Sequence, residues 1–296
     1  MATVTVPLVG TLDDVGLCKV VQRFVNDLGG SKPETVRIDF NRLSFIRPSG
    51  VTFLSNFIAW LRDAGAEVNF VGTERYSSAI RYLDDSLFFQ QHMGERIKTG
   101  SCPRSTTLPL EHIHTSRGFD WLRTRLIPWL VPTLNMTKSS LAPFQNCVAE
   151  LFHNIQDHSK QQIGCIFVQH YPKEKEVGIS IADFGRGIPS SVRTVEPNLD
   201  DDQAIVQAVK EGFTIKSSPN NRGVGLEYLM NTVVRHNGGR VVIHSLRGHV
   251  RFSRTRNDVH AEPLSITGYC PGTTIDIVFK TDSIVHEPDE PEELIW

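Results

Sequence analysis

The sequence has no apolar run of ~18 residues, the length a membrane-spanning helix needs. Its first residues, Met1-Ala2-Thr3-Val4, carry no basic segment followed by an apolar one, so no secretory leader is expected. Cysteine is scarce and unpatterned: five residues, Cys18, Cys102, Cys147, Cys165 and Cys270, with no Cys-x-x-Cys pair. An odd, dispersed count argues against a disulfide framework and fits reduced thiols, which makes a cytoplasmic protein the expectation. His112 and His114 have no partner pair at zinc-finger spacing, so no metal site is expected there. An excess of either charge is also lacking. A net charge of −2 gives no pull towards nucleic acid or an anionic membrane, and the local cluster Arg247, Arg251, Arg254 and Arg256 reads as a solvated loop. No Gly-x-x-x-x-Gly-Lys-Ser/Thr run occurs, nor does the protein-kinase motif set.

What is present is a 296-residue chain, 40% hydrophobic and 22% charged, ordinary values for a soluble protein of two domains. Strands are expected at 3–9, 36–40 and 68–71. They alternate with helices at 14–28, 50–64 and 76–89, punctuated by Gly29-Gly30 and Gly65. That alternation predicts a small α/β domain over 1–93. Residues 94–135 are rich in Gly, Ser, Thr, Pro and charge and read as a connector. Its apolar stretch 119–134 should be kinked or broken by Pro128 and Pro132. A second domain over 136–282 opens with a helix at 139–159. Strands follow at 163–170 and 177–183, then helices near 202–211 and after Gly225, and strands at 240–246 and 274–279. The tail 283–296 is acidic and proline-bearing and reads as disordered.

Four elements of the second domain carry chemistry. On the helix around Ala142 to His158, Phe144, Val148, Leu151, Phe152 and Ile155 share one side, while Asn146, Glu150, Asn154, Asp157 and His158 share the other. A β-branched run, Val177 to Ala182, leads into Asp183-Phe-Gly185-Arg-Gly187. There a carboxylate at a strand end can accept a base amine, and the glycines allow close backbone approach. Asn221-Arg222-Gly223-Val224-Gly225 enters a helix whose N-terminal N–H groups suit phosphates. Pro271-Gly272-Thr273 opens the last strand.

In this order, the four elements resemble the GHKL ATPases, the family of gyrase, Hsp90, histidine kinases and MutL. Glu150-x-x-x-Asn154-x-x-x-His158 is similar to the N box, Asp183-x-Gly185-x-Gly187 to the G1 box, and Gly223-x-Gly225 to the G2 box. Gly272-Thr273 is similar to the glycine-threonine step that closes the site. The resemblance covers 136–282 and implies a Bergerat-type α/β sandwich, a mixed sheet with helices on one face, that binds ATP and Mg²⁺. Asn154 would ligate Mg²⁺ and Glu150 would act as general base. Asp183 and Thr273 would read adenine, beside Gly185 and Gly187, and Gly223 and Gly225 would cradle phosphates. Residues 188–222 would form a mobile lid in which Lys216 and Arg222 face phosphate or solvent.

The N-terminal segments Gly10-Thr-Leu-Asp13, Val36-Arg-Ile-Asp39, Phe45-Ile-Arg-Pro-Ser49-Gly50 and Ala66-Glu-Val-Asn-Phe-Val-Gly72 resemble a STAS domain, the fold of anti-sigma-factor antagonists. That resemblance makes Ser49 a candidate phosphoacceptor. The acidic neighbour usual in the family is replaced by Arg47-Pro48, and capping of its own helix is the preferred role. The pairing implies a nucleotide-dependent regulatory switch with serine-kinase or ATPase activity and another regulatory protein as partner. The alternatives are a non-catalytic ATP-dependent interaction module and a dimerising ATPase, so a homodimer stays open. No His-Glu/Asp-x-x-x-Pro segment precedes the ATP motifs, which disfavours a sensor histidine kinase.

Overall fold

In a computed structural model, the described residues are 3–28, 33–158, 163–213, 224–256, 258–264 and 268–289. The chain is α/β, built on two sheets. The first is three-stranded and parallel, in the order β1 (Thr3–Leu12), β2 (Thr35–Ile46), β3 (Glu67–Val71). Helices α1 (Asp14–Leu28) and α2 (Pro48–Asp63) supply its crossovers, as parallel strands require. The short helices α3 (Ser78–Asp85) and α4 (Phe88–Met93) follow. Leu17, Cys18, Val21 and Phe24 form the buried stripe of α1, at helical spacing.

The second sheet begins inside the stretch expected to be a connector. β4 (Thr107–His114) pairs with β5 (Ile163–Tyr171), and the full order is β4-β5-β6-β10-β7-β8-β9. The remaining strands are β6 (Glu176–Asp183), β7 (Arg240–Leu246), β8 (Gly248–Thr255), β9 (Asp258–Pro263) and β10 (Cys270–Lys280). Every ladder in it is antiparallel, a correction to the expected mixed sheet. The short links between β5 and β6, β7 and β8, and β8 and β9 can join only antiparallel neighbours. Arg251 and Arg254 therefore lie on a strand rather than in a loop, with Arg251 Nη1 3.3 Å from Glu262 Oε2.

Helix α5 (Gly118–Trp121), a π-helical turn at Leu122–Leu126 and α6 (Ile127–Leu134) run on without a break. The π turn precedes Pro128, so the kink expected from the prolines is taken up as a local change of helix type. Leu122, Leu126 and Leu130 bury fully against α7 (Lys138–His158) and one face of the large sheet. The same face carries α8 (Ile188–Val192), α9 (Asp201–Ala208) and α10 (Val224–Leu229) near its edges. Residues 188–208 of the expected lid are thus largely folded: Val192, Ala204 and Ile205 are buried, and an Asp200–Gln203 capping box starts α9. Within the tail, the described residues 283–289 pack against the chain rather than reading as disordered: Asp289 Oδ1 accepts from Lys138 N at 3.0 Å and Ser139 N at 3.3 Å. A carboxylate on those orphan donors stabilises the start of α7.

The sheet's other face is covered too, which corrects the one-sided sandwich. Helix α2 lies on β5, β6 and β10, with the three-stranded sheet and α1 behind it. Residues 50–58 are all buried, so this helix has no solvent face along that stretch. A helix apolar or small all round must be interior. Gly50 sits where α2 crosses the end of β1, because a Cβ there would lie 2.9 Å from Leu12 O. Among the described residues no helix is long and apolar enough to cross a membrane.

Phe53, 1% exposed, touches the His244 ring from α2. Phe53→Ala should cost about 3–5 kcal/mol in urea unfolding, with both halves melting in one transition. A loss below about 1 kcal/mol would mean that α2 does not hold the halves together.

Candidate functional site

Strand alternation divides the large sheet's residues between two environments. Ile179, Ile181 and Asp183 of β6 face α7, whereas Ser180 and Ala182 face α2. Asp183 is directly opposite Thr273 in the β6–β10 ladder, and Thr273 is opposite Ser245 in the β10–β7 ladder. Three side chains with oxygen atoms therefore sit abreast at one end of the sheet, on the face that α7 covers.

The backbone around them is tightly drawn in. Gly272 has φ +75°, and a Cβ there would fall 2.1 Å from Asp183 O. Gly187 has φ +81° and would meet Leu246 Cγ at 2.9 Å and Ser245 Oγ at 3.0 Å. Only glycine fits either place. Ser245 Oγ accepts from Ile188 N at 2.9 Å, donates to Gly272 O at 2.7 Å and lies 3.0 Å from Thr273 Oγ1. Asp183 Oδ1 accepts from Gly185 N at 2.7 Å, closing an Asx turn. Burial pushes the Asp183 carboxyl up to about 6, against the opposing pull of that N–H.

The second cluster is on α7. A Cβ on Gly225, at the start of α10, would lie 3.2 Å from Glu150 Oε2, 3.2 Å from Asn154 Nδ2 and 3.4 Å from Asn154 Oδ1. The structure thus brings Gly225, Glu150 and Asn154 together, although Gly225 is far from the other two in sequence. Asn154 Nδ2 is buried and has no hydrogen-bond partner among the described residues. An unpartnered amide N–H donor beside a helix start suits an anionic group such as a phosphate, and the Oδ1 of the same side chain with the Glu150 carboxylate could meet a cation. Lys216, Arg222 and Gly223 lie outside the described residues.

Ser49 is placed elsewhere. It does not cap its own helix, whose N-cap is Arg47 with Pro48 in the first turn. Its hydroxyl instead donates weakly to Asp14 Oδ1 at 3.3 Å and accepts from Asp14 N at 3.4 Å. Pro48 takes the first helical position, where its missing N–H is no loss, so the cap falls on Arg47, two residues before Ser49. Ser49 belongs to α2 and Glu150 to α7, so the large sheet stands between them.

Two contributors escaped the sequence reading. Asn56 on α2, 2% exposed, donates both Nδ2 hydrogens, to Asp183 O at 2.9 Å and to Pro271 O at 2.8 Å. One amide from the N-terminal half thereby fixes both turns that flank Asp183 and Thr273. Ser245 is the other. A buried asparagine in an otherwise apolar helix was a usable signal for the first; a lone serine in a strand offers none.

A carboxyl raised by burial makes the folded state bind more protons than the unfolded chain between about pH 4 and about pH 6. Asp183's contribution to stability should therefore decline as pH rises through that window. Denaturant unfolding without nucleotide should show the decline in the native chain and a flatter profile in Asp183→Asn. Superimposable profiles would contradict the assignment. No protein-family signature matches the chain, and a comparison with curated proteins finds no significant match.

Proposed function

We propose that this chain is a Mg-ATP-binding regulatory protein of the GHKL type, with a STAS-like N-terminal half that responds to the nucleotide. The observation that carries the reading is the meeting of Gly225 with Glu150 and Asn154, on the sheet face that also bears Asp183 and Thr273. Adenine would be read by the Asp183 carboxylate accepting its amine hydrogen, with the Thr273 and Ser245 hydroxyls alongside. Gly185, Gly187 and Gly272 leave room for the base and sugar, and the N–H groups at the start of α10 face the phosphates. Mg²⁺, when bound, supplies charge neutralisation at the phosphates, and the carboxamide of Asn154 is the residue that would hold it. Glu150, beside Gly225, is positioned to take a proton from an attacking water or hydroxyl.

The N-terminal half gives the nucleotide something to control. Asn56 ties α2 to the backbone of the adenine side, so a shift of either turn on binding is felt by the buried stretch of that helix. The position of Ser49 favours a partner's residue over Ser49 as acceptor, because transfer to Ser49 within one chain would have to cross the sheet. A regulatory protein kinase acting in trans or an ATPase switch fits this arrangement.

The deciding experiment follows γ-labelled ATP with Mg²⁺. Free phosphate, lost in Glu150→Ala, is the expected product from the isolated chain. Label retained on the chain and abolished by Ser49→Ala would contradict the placement of the acceptor. Tight binding with neither product, in the presence of candidate partners as well, would reduce the protein to a nucleotide-dependent interaction module. Two binding measurements accompany it. Asn154→Ala should abolish the Mg²⁺ dependence of ATP affinity, and persistence of that dependence would remove Asn154 as the metal ligand. Asn56→Ala should weaken ATP binding by about 10-fold or more, as expected from two buried carbonyls losing their donor; unchanged affinity would mean that α2 is not coupled to the site.

A further inference from the structure

The face of the large sheet turned towards the N-terminal half holds a second polar cluster, which the nucleotide reading does not use. His244 on β7 and His249 on β8 are directly opposed across the hairpin, with rings stacked at 4.5 Å and 15°. Asp14 and Cys18 stand four residues apart at the start of α1, on the helix side that meets those strands. One carboxylate oxygen of Asp14 and one ring nitrogen from each histidine all lie within 4.8 Å of one another. Cys18 Sγ is 2.8 Å from His244 Nδ1 and 3.2 Å from Nε2. His244 and His249 are 2% and 1% exposed, and Cys18 is fully buried.

Ordinary hydrogen bonding does not account for this arrangement. His249 Nε2 approaches Asp14 Oδ2 at 3.2 Å, yet neither ring nitrogen of His249 makes an aligned hydrogen bond among the described residues. Leaving Nδ1 unpartnered in the interior, and Nε2 with only that poorly aligned approach, is costly. Nor can the Cys18 S–H serve both nitrogens of His244. Residue types and spacing match a different bonding pattern: two imidazoles from adjacent strands, and a carboxylate and a thiol one helical turn apart. Ligands at the bond lengths of zinc stand about 3.3–3.6 Å apart along tetrahedral edges. The Asp14–His249 approach already has about that length; Cys18 Sγ, beside His244, falls outside the set that converges within 4.8 Å and would swing in as the fourth ligand.

We propose that Asp14, Cys18, His244 and His249 form a tetrahedral site for a divalent transition-metal ion of the zinc class, which staples α1 to the β7–β8 hairpin. Mixed imidazole, thiolate and carboxylate donors select such an ion over Mg²⁺ or Ca²⁺. All four positions are taken by side chains in a buried place, so the site is structural. Binding transfers the Cys18 thiol proton to solvent as the sulfur–metal bond forms. Its effect is to couple the N-terminal half to the sheet from the side opposite the nucleotide motifs. It stands independently of the ATP reading.

The test uses the full chain with exposed Cys102 changed to serine, stripped with a chelator and titrated with Co²⁺, then with Zn²⁺. One Co²⁺ per chain should bind, with intense tetrahedral d–d bands and a thiolate charge-transfer band, and Zn²⁺ should bleach both. Cys18→Ser should remove the charge-transfer band while keeping weaker d–d absorption. His249→Ala should lower affinity by roughly 100-fold or more, beyond what loss of an outer-shell contact brings. Circular dichroism of each variant before metal addition separates misfolding from ligand loss. Should His249→Ala misfold, His249→Gln carries the same expectation. Absence of stoichiometric Co²⁺ and Zn²⁺ uptake by the otherwise unaltered chain would overturn the proposal. So would a charge-transfer band that survives Cys18→Ser.

Discussion

The architecture depends on one helix that has almost no outside. Helix α2 is enclosed by the three-stranded sheet and α1 on one side and by β5, β6 and β10 on the other. Its buried polar side chains, Thr52, Ser55 and Asn56, each reach across that second boundary. Thr52 bonds Ser180, Ser55 meets His112 at 2.8 Å as well as His92 of its own half at 2.9 Å, and Asn56 bonds the carbonyls of Asp183 and Pro271. Apolar burial is non-directional and would tolerate sliding of the halves. The paired polar groups do not, since any slip leaves buried donors unmet. Register between the halves is therefore set by three small side chains, and stability by the phenylalanines around them.

That enclosure also explains why the two faces of the large sheet differ in chemistry. The α7 face collects Asp183, Thr273, Ser245, Glu150 and Asn154, groups suited to a nucleotide and its cation. The opposite face collects Asp14, His244, His249 and Cys18, with Asp276 nearby. Burial, followed by Asp14, raises the Asp276 carboxyl well above the ordinary range. Alternation along β6, β7 and β10 keeps these two populations apart by a single sheet thickness. In the proposed switch, Asn56 is the element that touches both worlds.

Much of the site was legible because its residues fall at helix and strand periods. Glu150 and Asn154 share a helical face, Asp183 ends a β-branched run, and the paired glycines mark turns where a Cβ cannot fit. The helices and strands of the first 93 residues were legible for the same reason. Residues 94–135 were misread because their turn-rich composition conceals β4, whose partner β5 lies past α7, and because prolines in 119–134 were absorbed by a π turn. Within the expected lid, the helix near 202–211 was legible and stands at Asp201–Ala208, whereas the short helix Ile188–Val192 was hidden by its serine- and proline-rich surroundings. Asn56 left a trace as a polar residue in a mostly apolar helix; Ser245 and the Asp14–His249 cluster left none, because a lone strand serine is unmarked and the cluster joins residues more than two hundred positions apart.

The account's central claim is that a carboxylate raised by burial, Asp183, reads the base of Mg-ATP. Calorimetric titration with Mg-ATP at a series of pH values tests it most directly. Affinity should rise by up to about tenfold per pH unit on approaching pH 6 from below. It should level off above that value, and both the affinity and the slope should be lost in Asp183→Asn. Absence of binding, or binding indifferent to pH and to Asp183→Asn, would contradict it.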